Sequence, residues 1–206
     1  MTVRLAPKVE TRPLQPASSL AEWTRVINTL ATRATRKHEA RTKAPGTRAK
    51  RSDAVELLLT DGDVVANENG VGTRARGTFG YRMAHDVAEH LVSTGLDPDF
   101  LGEFAAISGL ESRDVLDFAG IDRTTVSRRK ASGSALPQDA AVKALQATDL
   151  MTQATEVFGS PHQASLWLTK PHPLLDGETP LRRARTPWGM SKVQSMLVSL
   201  RYGGAA

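Results

Sequence analysis

From Ala84 to its end, the chain repeats one pattern, in which apolar residues at helical spacing are followed by a glycine or a proline-rich turn. A glycine just past an amphipathic stretch commonly ends an α-helix, because it adopts the left-handed conformation without steric strain. The pattern predicts an all-α fold. Helices are predicted over 84–94, 97–108, 122–130, 137–158 and 161–168. A short helix carrying Val115, Leu116 and Ala119 is predicted to end at Gly120, another to follow Pro180, and a last one to carry Met190, Val193, Leu197 and Leu200.

Composition limits the size and the class of the protein. The chain has 206 residues, of which 40% are hydrophobic, so it can bury one core of ordinary size or two small ones. It has no apolar run of about 18 residues and no hydrophobic leader with a cleavage site, so we expect a cytoplasmic protein without a membrane span. It has no cysteine, which excludes disulfides, thiol catalysis and thiolate metal sites.

Basic residues are concentrated near the N-terminus. Residues 1–52 contain 12 Lys or Arg against 3 acidic residues, whereas residues 53–206 contain 15 against 19. A basic arm on a near-neutral body can attract nucleic acid by releasing counterions, independently of base sequence. A solvated, unstructured tail explains the same composition equally well. We therefore predict a basic, largely disordered arm over 1–52 and leave its contact with DNA open.

Within this arm, one stretch has helical periodicity. Trp23, Val26, Ile27 and Leu30 recur at the spacing of one helix face, which predicts a possible helix over 20–38. Such a helix either packs on the body of the protein or mediates self-association.

Residues 53–83 are predicted to be a linker or an irregular segment. Their glycines invite comparison with a phosphate-binding loop, because the interval from Gly72 to Gly77 is the right one. Thr78, however, stands where that loop requires its lysine. A glycine-rich linker is the simpler interpretation.

Residues 84–148 are predicted to contain a helix-turn-helix. Two short helices are joined by Gly120-Ile121-Asp122, and the tight turn between them needs the glycine. The second helix carries hydroxyls and cations that can pair with base edges or phosphates. A solvated surface helix is the alternative explanation of this charge cluster. The predicted DNA-binding residues are Arg123, Thr124, Thr125, Ser127, Arg128, Arg129 and Lys130.

The last quarter of the chain has a distinctive order of residues. A helix ends in Phe158-Gly159, Trp167-Leu168 precede a proline-rich turn, and Thr179-Pro180-Leu181 reads as a cap with proline at the first helical position. This order resembles the toxin-binding domain of the Xre/MbcA/ParS antitoxin family. The stretch from Gly120 to Arg129 likewise resembles the Xre-like half of these antitoxins. The chain departs from the family after Leu181, where three arginines, Arg182, Arg183 and Arg185, replace apolar residues. Two alternatives stay open there: the short helix forms, or the arginines contact an acidic partner surface instead.

The resemblance implies an antitoxin of a type II toxin–antitoxin system. Such a protein neutralises a RES-domain toxin that degrades NAD by occluding its active site, and it represses its own operon by binding operator DNA as a homodimer. Toxin and antitoxin are then expected to assemble into a hetero-oligomer. The toxin-binding domain is predicted over 149–206. The residues implied to contact the toxin are Lys192, Arg201, Tyr202, Gly203 and Gly204.

Two other classes of function compete with this hypothesis. One is a stand-alone helix-turn-helix regulator that has kept the C-terminal domain without a toxin partner. The other, which the sequence favours least, is an enzyme. The histidines lack the spacing of metal ligands, and we identify no residues for a cofactor, a metal or a catalytic site. Asp114 and Asp117 share a helix face, but nothing nearby predicts that burial separates their pKa values.

Overall fold

The protein was analysed as a computed structural model, which describes residues 22, 23, 25–27, 29, 30 and 85–203. All regular structure within these residues is helical, which confirms the predicted fold class. The residues described between 22 and 30 are helical. The elements that follow are α1 (His85–Thr94), α2 (Asp99–Ser108), α3 (Ser112–Ala119), α4 (Arg123–Ser132), α5 (Gln138–Phe158), α6 (Pro161–Thr169), a 3₁₀ turn (Pro173–Leu175), α7 (Pro180–Arg183) and α8 (Pro187–Arg201).

Local chemistry sets the helix boundaries where the sequence predicts them. The glycines that end α2, α3, α4 and α5 all lie in the left-handed region, with φ between 68° and 79°. Hydroxyl groups begin the C-terminal helices: Ser160, Thr179 and Thr186 each accept a hydrogen bond from a backbone N–H in the first turn. A proline follows each of these caps, at a helix position that needs no N–H.

Helix α5 is the centre of the fold. It contacts α1, α2 and α3 on the side of the predicted helix-turn-helix, and α6 and α8 on the side of the C-terminal domain. Leu150, Met151 and Ala154, in its second half, are fully buried. One continuous core therefore serves both halves of the protein.

The helical residues between 22 and 30 pack on this body. The indole of Trp23 is fully buried and lies edge-on to Phe104 of α2, with ring centroids 6.1 Å apart. Its Nε1 donates a 2.9 Å hydrogen bond to Oγ1 of Thr152 in α5. Ile27 and Leu30 are buried as well. Of the two roles left open for this stretch, packing on the body is the one that the structure shows.

No loop separates the two predicted modules. The boundary predicted between residues 148 and 149 falls inside α5, which runs without interruption from Gln138 to Phe158. The predictions for residues 1–19 and 53–83 lie outside the described residues, as does the whole of the basic stretch after Leu30.

Gln153 of α5 is the least expected residue of the core. It is fully buried, and among the described residues neither its Oε1 nor its Nε2 has a hydrogen-bond partner. An unpaired buried amide destabilises a fold by about 1–3 kcal/mol. We expect Gln153→Met, which keeps the shape and removes the polar atoms, to raise the free energy of unfolding by about 1 kcal/mol. Chemical denaturation measures this change.

The same substitution at an exposed site of the same helix, Gln146→Met, is the matched control, and it should change stability by less than about 0.5 kcal/mol. A loss of stability in Gln153→Met alone would show that the amide is bonded in solution.

Candidate functional site

Helices α3 and α4 are joined by a three-residue turn, Gly120-Ile121-Asp122. Gly120 ends α3 with φ 68°, a conformation that strains any residue with a side chain. The N–H of Ile121 donates to the carbonyl of Leu116, 3.2 Å away, and closes the turn. Leu116 and Val126, one from each helix, are half-buried and pack against the core. The order helix, glycine turn, helix agrees with the pattern from which a helix-turn-helix is predicted.

Asp122 begins α4 as its N-cap. Its Oδ1 accepts a 2.8 Å hydrogen bond from the N–H of Thr125, and its Oδ2 accepts a 2.7 Å hydrogen bond from the Thr125 hydroxyl. These bonds lower the pKa of Asp122, with the side-chain bond the largest cause. Asp122 is therefore ionised at neutral pH, and its carboxylate caps the helix there. The stabilisation by this cap is lost only as the pH falls through the lowered pKa.

The structure divides the seven residues predicted to bind DNA into two groups. Three of them have partners within the protein. The Thr125 hydroxyl donates to Asp122, and Arg129 Nη1 donates to the carbonyl of Ala135 at 2.8 Å. Lys130 Nζ pairs with Asp99 Oδ1 at 2.6 Å. The other four are exposed on one side of α4, and they are Arg123, Thr124, Ser127 and Arg128. The outward face of α4 thus offers two guanidinium groups and two hydroxyls, and no residue of α4 is buried.

A cleft of about 520 Å³ lies between α3 and the residues of α7, with Thr169 at the end of α6. Carboxylates of Glu111, Asp114 and Asp117 line one side, and Arg182 and Arg185 are also part of its lining. Burial, and then the charges of Glu111 and Asp117, raise the pKa of Asp114, while Arg113 opposes this effect. The sequence offers no reason to expect that burial would shift a pKa in the pair Asp114 and Asp117. It does not show that α3 lies against α7.

Helix α8 has one buried side and one exposed side. Gly189, Val193, Met196 and Leu197 are buried, whereas Trp188, Lys192, Ser195 and Tyr202 are exposed. The exposed residues follow one line along the helix, because intervals of three or four residues match about one helical turn and an interval of seven matches about two. We call this line the α8 stripe. An aromatic side chain stands at each end of it, with Trp188 83% and Tyr202 61% exposed.

The residues predicted to contact a toxin lie at the end of α8 and along this stripe. Lys192 is exposed in the middle of the stripe, and Tyr202 follows the last residue of α8. Arg201 is anchored within the protein, because its Nη1 lies 2.8 Å from Oε2 of Glu156, a nearly buried carboxylate at the end of α5. Gly203 is exposed with φ 72°, and Gly204 lies outside the described residues.

Helix α7 exists despite the arginines that replace apolar residues there. Thr179 Oγ1 accepts from the N–H of Arg182 at 3.2 Å, and the arginines point away from the core, where Leu181 and Ala184 are buried. Arg183 pairs with Glu178 at 3.2 Å, and the exposed Arg182 lies 3.9 Å from the same carboxylate, whereas Arg185 is exposed. The short helix and an arginine-rich surface are therefore compatible.

Trp188 is the residue that our sequence interpretation missed. Its neighbour Gly189 sits against α7 so closely that a Cβ built on it would lie 1.9 Å from the carbonyl oxygen of Arg183. The signal in the sequence is the position of Trp188 four residues before Lys192, on the side of α8 opposite to Val193 and Leu197.

The other aromatic residues of the C-terminal domain pack internally. Trp167 is half-buried between Phe158 and His172, with ring centroids 5.4 Å and 6.3 Å away. Leu168, Val193 and Leu197 are fully buried, as expected for core residues. Among the described residues, no cluster of His, Asp or Glu is arranged to hold a metal ion. Nor does any described helix combine the length and the apolar character that crossing a membrane requires.

Comparison with known families assigns the C-terminal part of the chain. Residues 153–203 match the family described as the antitoxin Xre/MbcA/ParS C-terminal toxin-binding domain. The match begins within α5 and ends just after α8. No curated protein matches the chain. The resemblance seen in the order of residues is confirmed over this range, which is a domain that binds a toxin and is not an enzyme.

Proposed function

Because residues 153–203 form an antitoxin's toxin-binding domain, we propose that this protein neutralises a RES-domain toxin that degrades NAD, and that it represses its own operon. The observation that carries the proposal is the match itself, combined with the exposed end of α8 inside the matched range. A partner that is a toxin follows from the domain. The class of the toxin and the control of the operon are the parts that need testing.

Inhibition is proposed to occur at the end of α8. Tyr202 and Gly203 extend beyond the ion pair of Arg201 with Glu156, which fixes the direction in which the chain leaves the domain. A Cβ on Gly203 would have no neighbour within 4 Å, so this backbone stands clear of the domain surface. Such a projecting, narrow segment is suited to enter a nucleotide-binding cleft and to exclude the dinucleotide from it.

Repression is proposed to use α4. Its four exposed polar residues face outward from a helix whose inner side is held by Val126 and by the bonds of Arg129 and Lys130. In a helix-turn-helix the second helix enters the major groove, and a homodimer places two such helices on two half-sites. We expect the repressor to act as a dimer of this kind.

Co-expression tests the function as a whole. A RES-domain protein is expressed in a host cell with and without this chain, and cellular NAD is measured. We expect NAD to fall with the RES-domain protein alone, to recover when this chain is present, and the two proteins to purify together. If the chain binds operator DNA but neither protects NAD nor co-purifies, it is a stand-alone regulator and the toxin part of the proposal is wrong.

Removing residues 202–206 is expected to weaken inhibition of the toxin's NAD-degrading activity about tenfold, because the projecting end is lost while Arg201 and its bond to Glu156 stay. The measurement is the inhibition constant in an NAD-degradation assay with purified proteins. Thermal unfolding and operator binding of the shortened chain serve as controls and should not change. Full inhibition by the shortened chain would mean that the end of α8 does not occlude the active site.

A further inference from the structure

Trp188 is exposed in a way that few tryptophans are. It lies in the first turn of α8 with 83% of its surface in contact with solvent, while Trp23 is fully buried and Trp167 is half-buried. Tryptophan is among the residues that most often dominate the binding free energy at protein interfaces. An exposed one inside a toxin-binding domain therefore marks a contact surface that the end of α8 does not account for.

The backbone that carries Trp188 is held rigidly. Thr186 Oγ1 accepts from the N–H of Gly189 at 3.1 Å, and its carbonyl accepts from the N–H of Met190 at 2.8 Å. On the inner side, Gly189 is pressed against the carbonyl of Arg183. The turn is thus fixed before any partner binds, which reduces the entropy lost on association.

Trp188 lies on the same side of α8 as Tyr202, the residue at the proposed inhibitory end. Tyr202 is fourteen residues further along the α8 stripe, which corresponds to about 21 Å along a helix axis. Lys192 and Ser195 lie between them and are exposed. One side of one helix therefore presents two aromatic groups to the same partner.

Charge indicates the chemistry of that partner. Three exposed cations, Arg182, Arg185 and Lys192, accompany Trp188 in the sequence between residues 182 and 192. The two arginines face acidic groups of this protein: Arg182 lies 3.9 Å from Glu178, and both arginines line the cleft that carries the carboxylates of α3. Lys192, in the middle of the α8 stripe, is the exposed cation that shares a helix side with Trp188. A cation one helical turn from an exposed aromatic group fits an apolar pocket with acidic residues at its edge.

We propose that Trp188 is a second anchor for the toxin, inserted into an apolar, acid-rimmed pocket of the toxin about 21 Å from the point where Tyr202 binds. This rests on the proposed function, since it names the toxin as the partner. It assigns different roles to the two ends of the α8 stripe: Tyr202 occludes the active site, and Trp188 supplies affinity.

Affinity measurements with the purified RES-domain protein test this assignment. We expect Trp188→Ala to weaken binding about 30-fold, as for an interface hot spot, with an unchanged melting temperature because the side chain is exposed. Leu174→Ala, which removes another exposed apolar side chain of the same domain, is the matched control and should change affinity less than twofold. Arg185→Ala should slow association and reduce its dependence on salt.

The outcomes separate this inference from the function on which it rests. If the unmodified chain binds the RES-domain protein and Trp188→Ala binds equally well, the second anchor does not exist, while the proposed function stands. If the unmodified chain does not bind at all, both fail. If Trp188→Ala changes only the self-association of the chain in size-exclusion chromatography, the surface joins two copies of this protein, and the inference is wrong.

Discussion

Replacing Gly189 with alanine is expected to lower the free energy of unfolding by about 3 kcal/mol or more, the upper range for inserting a methyl group where no space exists. The new Cβ would lie 1.9 Å from the carbonyl oxygen and 2.8 Å from the carbonyl carbon of Arg183. These are backbone atoms, so no rotation of a side chain relieves the overlap, and α8 must move away from α7. Val193 and Leu197, which α8 buries in the core, would then lose contacts.

Thermal and chemical unfolding of the variant measure this effect, and Gly102→Ala is the matched control. Gly102 also lies inside a helix, but a Cβ on it would have no neighbour within 4 Å. Alanine there should raise stability by about 0.5–1 kcal/mol, through its higher helix propensity. Equal stabilities of the two variants would show that α7 and α8 are not in contact in solution.

Replacing both Arg123 and Arg128 with alanine is expected to reduce affinity for operator DNA about 100-fold, because each substitution removes a DNA contact worth about 1–3 kcal/mol. Both side chains are exposed on the outward face of α4, so the melting temperature should stay the same. Binding measured over a range of salt concentrations should show a slope that is smaller by about two if both arginines contact phosphates. Toxin neutralisation should be unaffected.

The choice of these two arginines follows from the structure. Arg129 stands beside Arg128 in the sequence, yet its Nη1 is bonded to the carbonyl of Ala135, so its replacement would disturb the turn after α4 as well as any DNA contact. Removing two exposed arginines of the other domain, Arg182 and Arg185, is the control for loss of charge alone. If that control weakens operator binding as much as the α4 variant, binding does not depend on α4.

The helices of this protein could be predicted because their ends are encoded locally. Gly109, Gly120 and Gly133 close helices at the predicted positions, and Thr179 with Pro180 begins α7 although arginines follow. Each of these signals acts over three or four residues, a distance over which sequence reasoning is strong.

What could not be predicted depends on contacts between distant residues. The partner of Trp23 is Thr152, 129 residues away, and the bond of Arg201 to Glu156 spans 45 residues. For the same reason the sequence could not show that Lys130 of α4 is paired, since its partner Asp99 lies in α2. The exposure of Trp188 follows only once α8 is packed on α7.

The uninterrupted helix α5 limits how a protein of this architecture can evolve. The matched domain begins inside α5, so an exchange of toxin specificity by recombination would join two genes in the middle of a helix. A junction with one residue more or fewer would rotate everything after it by about 100° and shift it by about 1.5 Å. Only crossovers that keep the number of residues would give a working chimera, so new pairings of operator and toxin should arise mainly by in-frame, length-conserving exchange.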